Sequence, residues 1–141
     1  MTDNIKMERI WQDIEFFELL VTCTNRNITV STEVYMTDTS IDELHEQIGT
    51  ILQLKDKTVL WTSGERGNQS TPCIEFNISM KDPGGHVLIE VFMELNDGGS
   101  LDKHHCCFYL NTELGMLYDF NEKLMKLKEK KIGTSISLIP E

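Results

Sequence analysis

The chain has 141 residues, of which 40% are hydrophobic and 26% are charged, values typical of one soluble globular domain. Its formal net charge at pH 7 is -10. This excess of carboxylates argues against nucleic acid and against an anionic membrane as direct ligands, because their phosphates would be repelled. It favours a protein partner with a basic surface, or it serves solubility alone.

The N-terminal part of the chain predicts a tail and a β-hairpin. Residues 1–10 are polar and lack the apolar region of a signal peptide, so we expect a flexible tail or a short helical turn there. Residues 16–24 and 28–36 are rich in β-branched and aromatic residues, and the second run alternates apolar and polar side chains. With a turn at residues 25–27 between them, the two runs predict a hairpin.

A helix and a polar loop are predicted next. Ser40 and Glu43 have the spacing of a capping box. Apolar residues then recur at helical spacing until about Leu54, where we expect the helix to end. A short apolar run at residues 59–61 precedes the loop at residues 62–71, which contains two glycines.

The second half of the chain predicts a meander and a second helix. Strands are predicted at residues 73–80, 86–95 and 104–111, a helix at residues 113–131, and a short last strand at residues 134–139. Thr112 is the expected N-cap of that helix. In the first of these strands the alternation turns Phe76 towards the core and Glu75 towards water.

These elements predict a single α+β domain over residues 1–141, in the order β-β-α-β-β-β-α. We expect one antiparallel sheet of about five to six strands with two helices packed on one face. No run approaches the ~20 apolar residues of a membrane span. The four cysteines lie in strand-like runs and are expected to be reduced, which predicts a cytoplasmic protein.

Glutamates recur in the predicted strands, at positions 18, 33, 75, 90 and 94. Glutamate is depleted in strands, so this pattern predicts an acidic sheet face that meets a basic partner. Trp61, beside the polar loop, is either an aromatic contact for that partner or an edge residue of the core. The candidate contact residues are Glu33, Trp61, Glu75, Glu90, Glu94, Asp97 and Asp102.

A second interpretation centres on the run His104, His105, Cys106 and Cys107. In a strand, each face of this run offers one imidazole and one thiol, so neighbouring strands would have to complete a zinc site. Cys106 or Cys107 could also be a nucleophile if a histidine lay on the same face. The spacing matches no standard zinc motif, and we therefore expect no cofactor. A homo-oligomeric scaffold that pairs through an exposed strand edge is a third interpretation, so monomer and homodimer both stay open.

The segment WTSGERGNQSTPC, residues 61–73, followed by a strand meander, resembles the immunity proteins of bacterial polymorphic and contact-dependent inhibition toxins. The resemblance covers the middle of the chain. It implies a small, acidic, non-catalytic α+β protein that blocks a cognate toxin domain by tight binding. Such a toxin is often a nuclease with a basic active site, which clustered carboxylates would occupy in place of phosphates.

Overall fold

The computed structural model describes residues 3–67, 71–95, 97 and 104–140. Within those residues the chain forms eight strands, two α-helices and one short 3-10 helix. The strands are β1 (Asn4–Gln12), β2 (Phe17–Thr24), β3 (Thr29–Met36), β4 (Thr58–Ser63), β5 (Ile74–Met80), β6 (His86–Glu94), β7 (His105–Glu113) and β8 (Ser135–Ser137). The helices are α1 (Asp38–Leu52) and α2 (Leu114–Leu124), with the 3-10 helix at Met125–Lys128.

The strands form two antiparallel sheets of four strands each. The first sheet has the order β3-β2-β1-β8, and the second has the order β4-β5-β6-β7. The predicted α+β class with two helices is therefore confirmed, whereas the prediction of a single sheet is wrong. The hairpin β2–β3 pairs with β1 instead of joining the meander, because α1 carries the chain away from β3 before β4 begins.

The N-terminal segment is a strand, so the predicted tail at residues 1–10 is wrong over the part that the structure describes. Ile5 and Met7 point inward and are buried, as in any half-buried strand. Arg9 occupies the next inward position. Because it is charged, it interrupts the alternation of apolar and polar residues that would otherwise predict a strand. Its guanidinium lies 4.0 Å from the centre of the Phe17 ring and donates to the carbonyl of Leu127, which satisfies the buried charge in part.

Both helices differ from their predicted bounds at the N-terminus. Helix α1 begins at Asp38 after Thr37, so Ser40 is inside the helix and the predicted capping box is absent there. Helix α2 begins at Leu114, with Glu113 in the N-cap position predicted for Thr112. Helix α2 ends at Leu124, the 3-10 helix covers Met125–Lys128, and residues 129–131 of the predicted helix belong to neither.

One hydrophobic core lies between the sheets and the helices. The apolar stripe of α1 and the inward residues of all the longer strands contribute to it. Phe76 is 1% exposed, and Glu75 points to the opposite side of β5, as the alternation predicts. Each sheet therefore has an outer face that points away from this core. No helix in the described part of the chain is long and apolar enough to cross a membrane.

Candidate functional site

The outer face of the second sheet carries three of the predicted contact residues, and the first of them is already paired. Glu75 accepts two hydrogen bonds from the Arg66 guanidinium, at 3.0 Å from Nε and 2.8 Å from Nη2. The same guanidinium lies 3.7 Å from the centre of the Phe92 ring, and Phe92 is the cross-strand neighbour of Glu75. The hydrogen bonds from Arg66 lower the pKa of Glu75. This carboxylate therefore holds an arginine of its own chain.

Glu94 does not lie on an accessible acidic surface, contrary to the prediction. It is 5% exposed. One carboxylate oxygen accepts from the amide of Cys73 at 2.8 Å, and the other accepts from the amide of Gly67 at 2.9 Å. Because both amides belong to the β4–β5 connection (residues 64–73), Glu94 fastens this loop to the sheet at two points.

The other acidic candidates on this side differ in their availability. Glu90 accepts a hydrogen bond from the Tyr109 hydroxyl at 3.1 Å and remains half-buried on the outer face. Asp97 is exposed and bonded to His104, which lowers the pKa of the Asp97 carboxyl. Asp102 lies outside the described residues.

Trp61 is a core residue, which favours the second of its two predicted roles over that of a partner contact. Its side chain is 2% exposed, and its indole nitrogen donates to the carbonyl of Ser40 at 3.0 Å. The ring packs 5.2 Å from that of Phe76. Strand β4 turns Trp61 inward, where α1 covers it.

Two thiols at or near the predicted zinc or nucleophile site, those of Cys73 and Cys107, have a raised pKa. Burial, helped by the charge of Glu75, raises the pKa of Cys73 to about 12. Burial and Glu90 also raise the pKa of Cys107, whose sulfur lies 3.7 Å from a Glu90 oxygen. A thiol with a raised pKa is a weak nucleophile at neutral pH.

The histidines of the same run point to different neighbours. His105 packs beside Phe92 with ring centres 5.2 Å apart, whereas His104 bonds Asp97. Cys106 is half-buried, on the inward side of β7. Among the residues that the structure describes, no three His, Cys, Asp or Glu side chains are grouped closely enough to hold a metal ion.

The outer face of the first sheet presents its carboxylates differently. Glu33 is exposed on β3, and its cross-strand neighbour Leu20 separates it from Glu8. Glu18, two residues before Leu20 on β2, also points outward and is half-buried. Burial and the nearby charge of Glu33 raise the pKa of Glu18. Within the described ranges, none of the three glutamates forms an ion pair.

A groove of about 470 Å³ lies at the seam between the two sheets, and two of its lining residues, Trp11 and Tyr35, are cross-strand neighbours of Glu18. Its lining residues are Trp11, Phe16, Tyr35, Met36, Thr37, Ser40, Ser63, Gly64 and Thr71. We call it the seam groove. Three aromatic side chains stand at its opening, with 42% of Trp11, 45% of Phe16 and 44% of Tyr35 exposed. Such a cluster of accessible aromatic rings is what protein-binding sites use as anchors.

The β4–β5 loop forms the wall of the seam groove opposite the aromatic residues. The Thr71 hydroxyl accepts from the amide of Tyr35 at 3.0 Å, which ties this loop to the edge of the first sheet. Gly64 has a φ of +78°, and a Cβ atom there would lie 3.0 Å from the carbonyl oxygen of Pro72. Glu94 therefore supports the groove indirectly, because it holds the same loop from the other sheet.

Sequence reasoning did not select Trp11, Phe16, Tyr35 or Glu18 as contact residues. The sequence gives no signal for Trp11, because residues 1–10 before it predict a tail and not a strand. Tyr35 carried a signal in the sequence: it shares the outward side of β3 with Glu33. The pairing of β1 with β2 then brings Trp11 opposite Glu18.

A comparison of this chain with protein-family models, with curated proteins and with solved structures finds no match.

Proposed function

We propose that this chain is a non-catalytic binding protein that neutralises a basic partner protein. The observation that carries the proposal is the seam groove, with its three exposed aromatic rings beside Glu18 and Glu33. Aromatic side chains supply most of the energy at protein interfaces, and carboxylates add charge complementarity and speed association. The net charge of -10 favours a basic partner.

The chemistry of the cysteines favours binding over catalysis. A thiol-dependent enzyme needs a thiolate, and the raised pKa values of Cys73 and Cys107 oppose its formation. The carboxylates of Glu75 and Glu94 are engaged by Arg66 and by backbone amides, so neither is free to act as a general acid or base. All four cysteines are free thiols, which supports a cytoplasmic location.

The partner that we propose is a bacterial toxin domain, and the chain would act as its immunity protein. The resemblance at residues 61–73 supports this choice, since Ser63, Gly64 and Thr71 of that segment line the seam groove. A nuclease domain would suit the site, because its basic active site is built to receive phosphates and would accept carboxylates in their place.

The test is calorimetric titration with the C-terminal domain of the protein encoded immediately upstream. We expect nanomolar binding that weakens as salt is added, because salt screens the charges at the interface. Absence of binding would overturn the immunity role.

A pair of matched variants tests the surface. Tyr35→Ala should weaken binding by about thirtyfold, the effect of truncating a hot-spot aromatic. Tyr118→Ala is the control, because Tyr118 is 53% exposed on α2 and does not line the seam groove. Equal affinities for the two variants would show that the partner binds elsewhere.

A further inference from the structure

Glu18 lies between two aromatic residues on the outer face of the first sheet. The register places Trp11 opposite Glu18 on one side and Tyr35 opposite it on the other. Strands β1 and β3 are about 10 Å apart across β2, since neighbouring strands are spaced by about 4.8 Å. The ring centres of Trp11 and Tyr35 are nevertheless only 5.8 Å apart, so the two rings lean towards each other over β2. We call these three residues the first-sheet row.

Among the residues that the structure describes, no cation pairs with the Glu18 carboxylate. In the described part of the chain, Glu18 accepts no hydrogen bond and forms no ion pair, and its charged neighbour on β3 is Glu33. Lys6, on the same face of β1, is opposite Thr22 rather than Glu18. Burial without a countercharge disfavours an ionised carboxylate, so a cation from outside the chain would be bound favourably.

The second sheet shows what such a row can hold. There, Glu75 is the cross-strand neighbour of Phe92, and the Arg66 side chain contacts both residues. Its guanidinium donates to both oxygens of Glu75, and its central carbon lies 3.7 Å from the centre of the Phe92 ring. A planar guanidinium suits this pair of neighbours because it can stack on a ring and bond a carboxylate in the same plane.

We propose that the first-sheet row is the binding site for an arginine side chain of the partner protein. The proposal rests on the proposed function and names the residue type that the partner contributes. The guanidinium stacks on Trp11 or Tyr35 and pairs with Glu18, as Arg66 does with Phe92 and Glu75. The surrounding charge favours the same occupant, since Glu33 and Glu8 lie on the same face.

The probe that tests this row is a hexa-arginine peptide, titrated at low salt into the whole protein. Trp11 is 42% exposed and Trp61 is 2% exposed, so a peptide that binds the row should quench the emission of Trp11 and leave that of Trp61 unchanged. Glu18→Gln should weaken binding about tenfold or more, as expected for a close charge pair. Trp11→Ala should abolish the quenching.

The control for lost charge is Glu122→Gln. Glu122 is next to a tyrosine, Tyr118, but on α2 and away from the row. The Glu122→Gln variant should bind the peptide with the same affinity as the unaltered protein. If Glu18→Gln and Glu122→Gln weakened peptide binding equally, the loss would come from net charge alone, which would overturn the proposal.

A hexa-lysine peptide tests the preference for arginine, and we expect it to bind more weakly. Equal affinity for the two peptides would overturn the assignment of arginine.

The arginine site and the proposed function can be tested separately. Toxin binding that is unaffected by Glu18→Gln would overturn the row alone, whereas peptide binding at Glu18 without any toxin binding would overturn the immunity role alone.

Discussion

On the second sheet, Glu75 and Phe92 hold Arg66, whereas on the first sheet Glu18 lies between Trp11 and Tyr35 with no described cation beside it. The two arrangements use the same kinds of residue at the same cross-strand spacing. The pKa of Glu75 is lowered by Arg66, and the pKa of Glu18 is raised by burial and by Glu33. The two shifts differ in sign because an ion pair favours the ionised carboxylate, whereas burial beside another negative charge disfavours it.

The two tryptophans should give the largest contrast between a residue of the fold and a residue of the groove. Trp61→Ala removes a buried ring and should lower the free energy of unfolding by about 3–5 kcal/mol. Trp11→Ala removes a half-exposed ring and should lower it by about 1 kcal/mol or less. Urea unfolding followed by circular dichroism measures both. Similar losses in the two variants would contradict the assignment of Trp61 to the core.

Glu94→Ala should have the next largest effect on stability, because it leaves the buried amide of Cys73 and the partly buried amide of Gly67 without an acceptor. We expect a loss of about 2 kcal/mol in the free energy of unfolding. Glu33→Ala is the matched control on the first sheet and should change it by less than about 0.5 kcal/mol. Amide hydrogen exchange gives a direct readout, since only Glu94→Ala should speed exchange at Gly67 and Cys73. Unchanged exchange there would show that Glu94 does not hold the loop.

Arg66→Ala should have a smaller effect on the free energy of unfolding, because the ion pair with Glu75 is partly exposed and screened by solvent. The pKa of Glu75 is lowered in the folded state, so its contribution is present above the pKa of the unfolded chain and lost as the pH falls through the folded pKa. The difference between Arg66→Ala and the unaltered protein should therefore exist at neutral pH and diminish in acid. Urea unfolding at several pH values measures it, and a difference that grows in acid would contradict the ion pair.

Glu18→Gln should have the smallest effect on stability, and the opposite sign. A carboxyl whose folded pKa is raised stabilises the fold below the unfolded pKa and ceases to do so as the pH rises through the folded pKa. At neutral pH the ionised Glu18 is thus unfavourable, and Gln should raise the free energy of unfolding by a few tenths of a kcal/mol. Glu75→Gln should lower it under the same conditions. A loss of stability in Glu18→Gln would indicate a cation already bound to Glu18.

The sequence by itself determined the features that depend on local periodicity. The α+β class follows from alternation in the strands and helical spacing in α1. The inward position of Phe76 and the outward position of Glu75 follow from the alternation in β5 alone. Neighbouring residues on one element fix such patterns, so no knowledge of distant contacts is needed.

Only the tertiary structure decided how these elements pair and which side chains stay accessible. The charged Arg9 interrupts the apolar alternation of β1, so the sequence did not predict this strand. Without β1, neither the first sheet nor the first-sheet row could be inferred. Trp61 and Glu94 are buried because α1 and the β4–β5 loop cover them, which their own strands do not disclose. Strand pairing and the covering of a face depend on residues far apart in the chain, and these contacts decide which carboxylates remain unpaired.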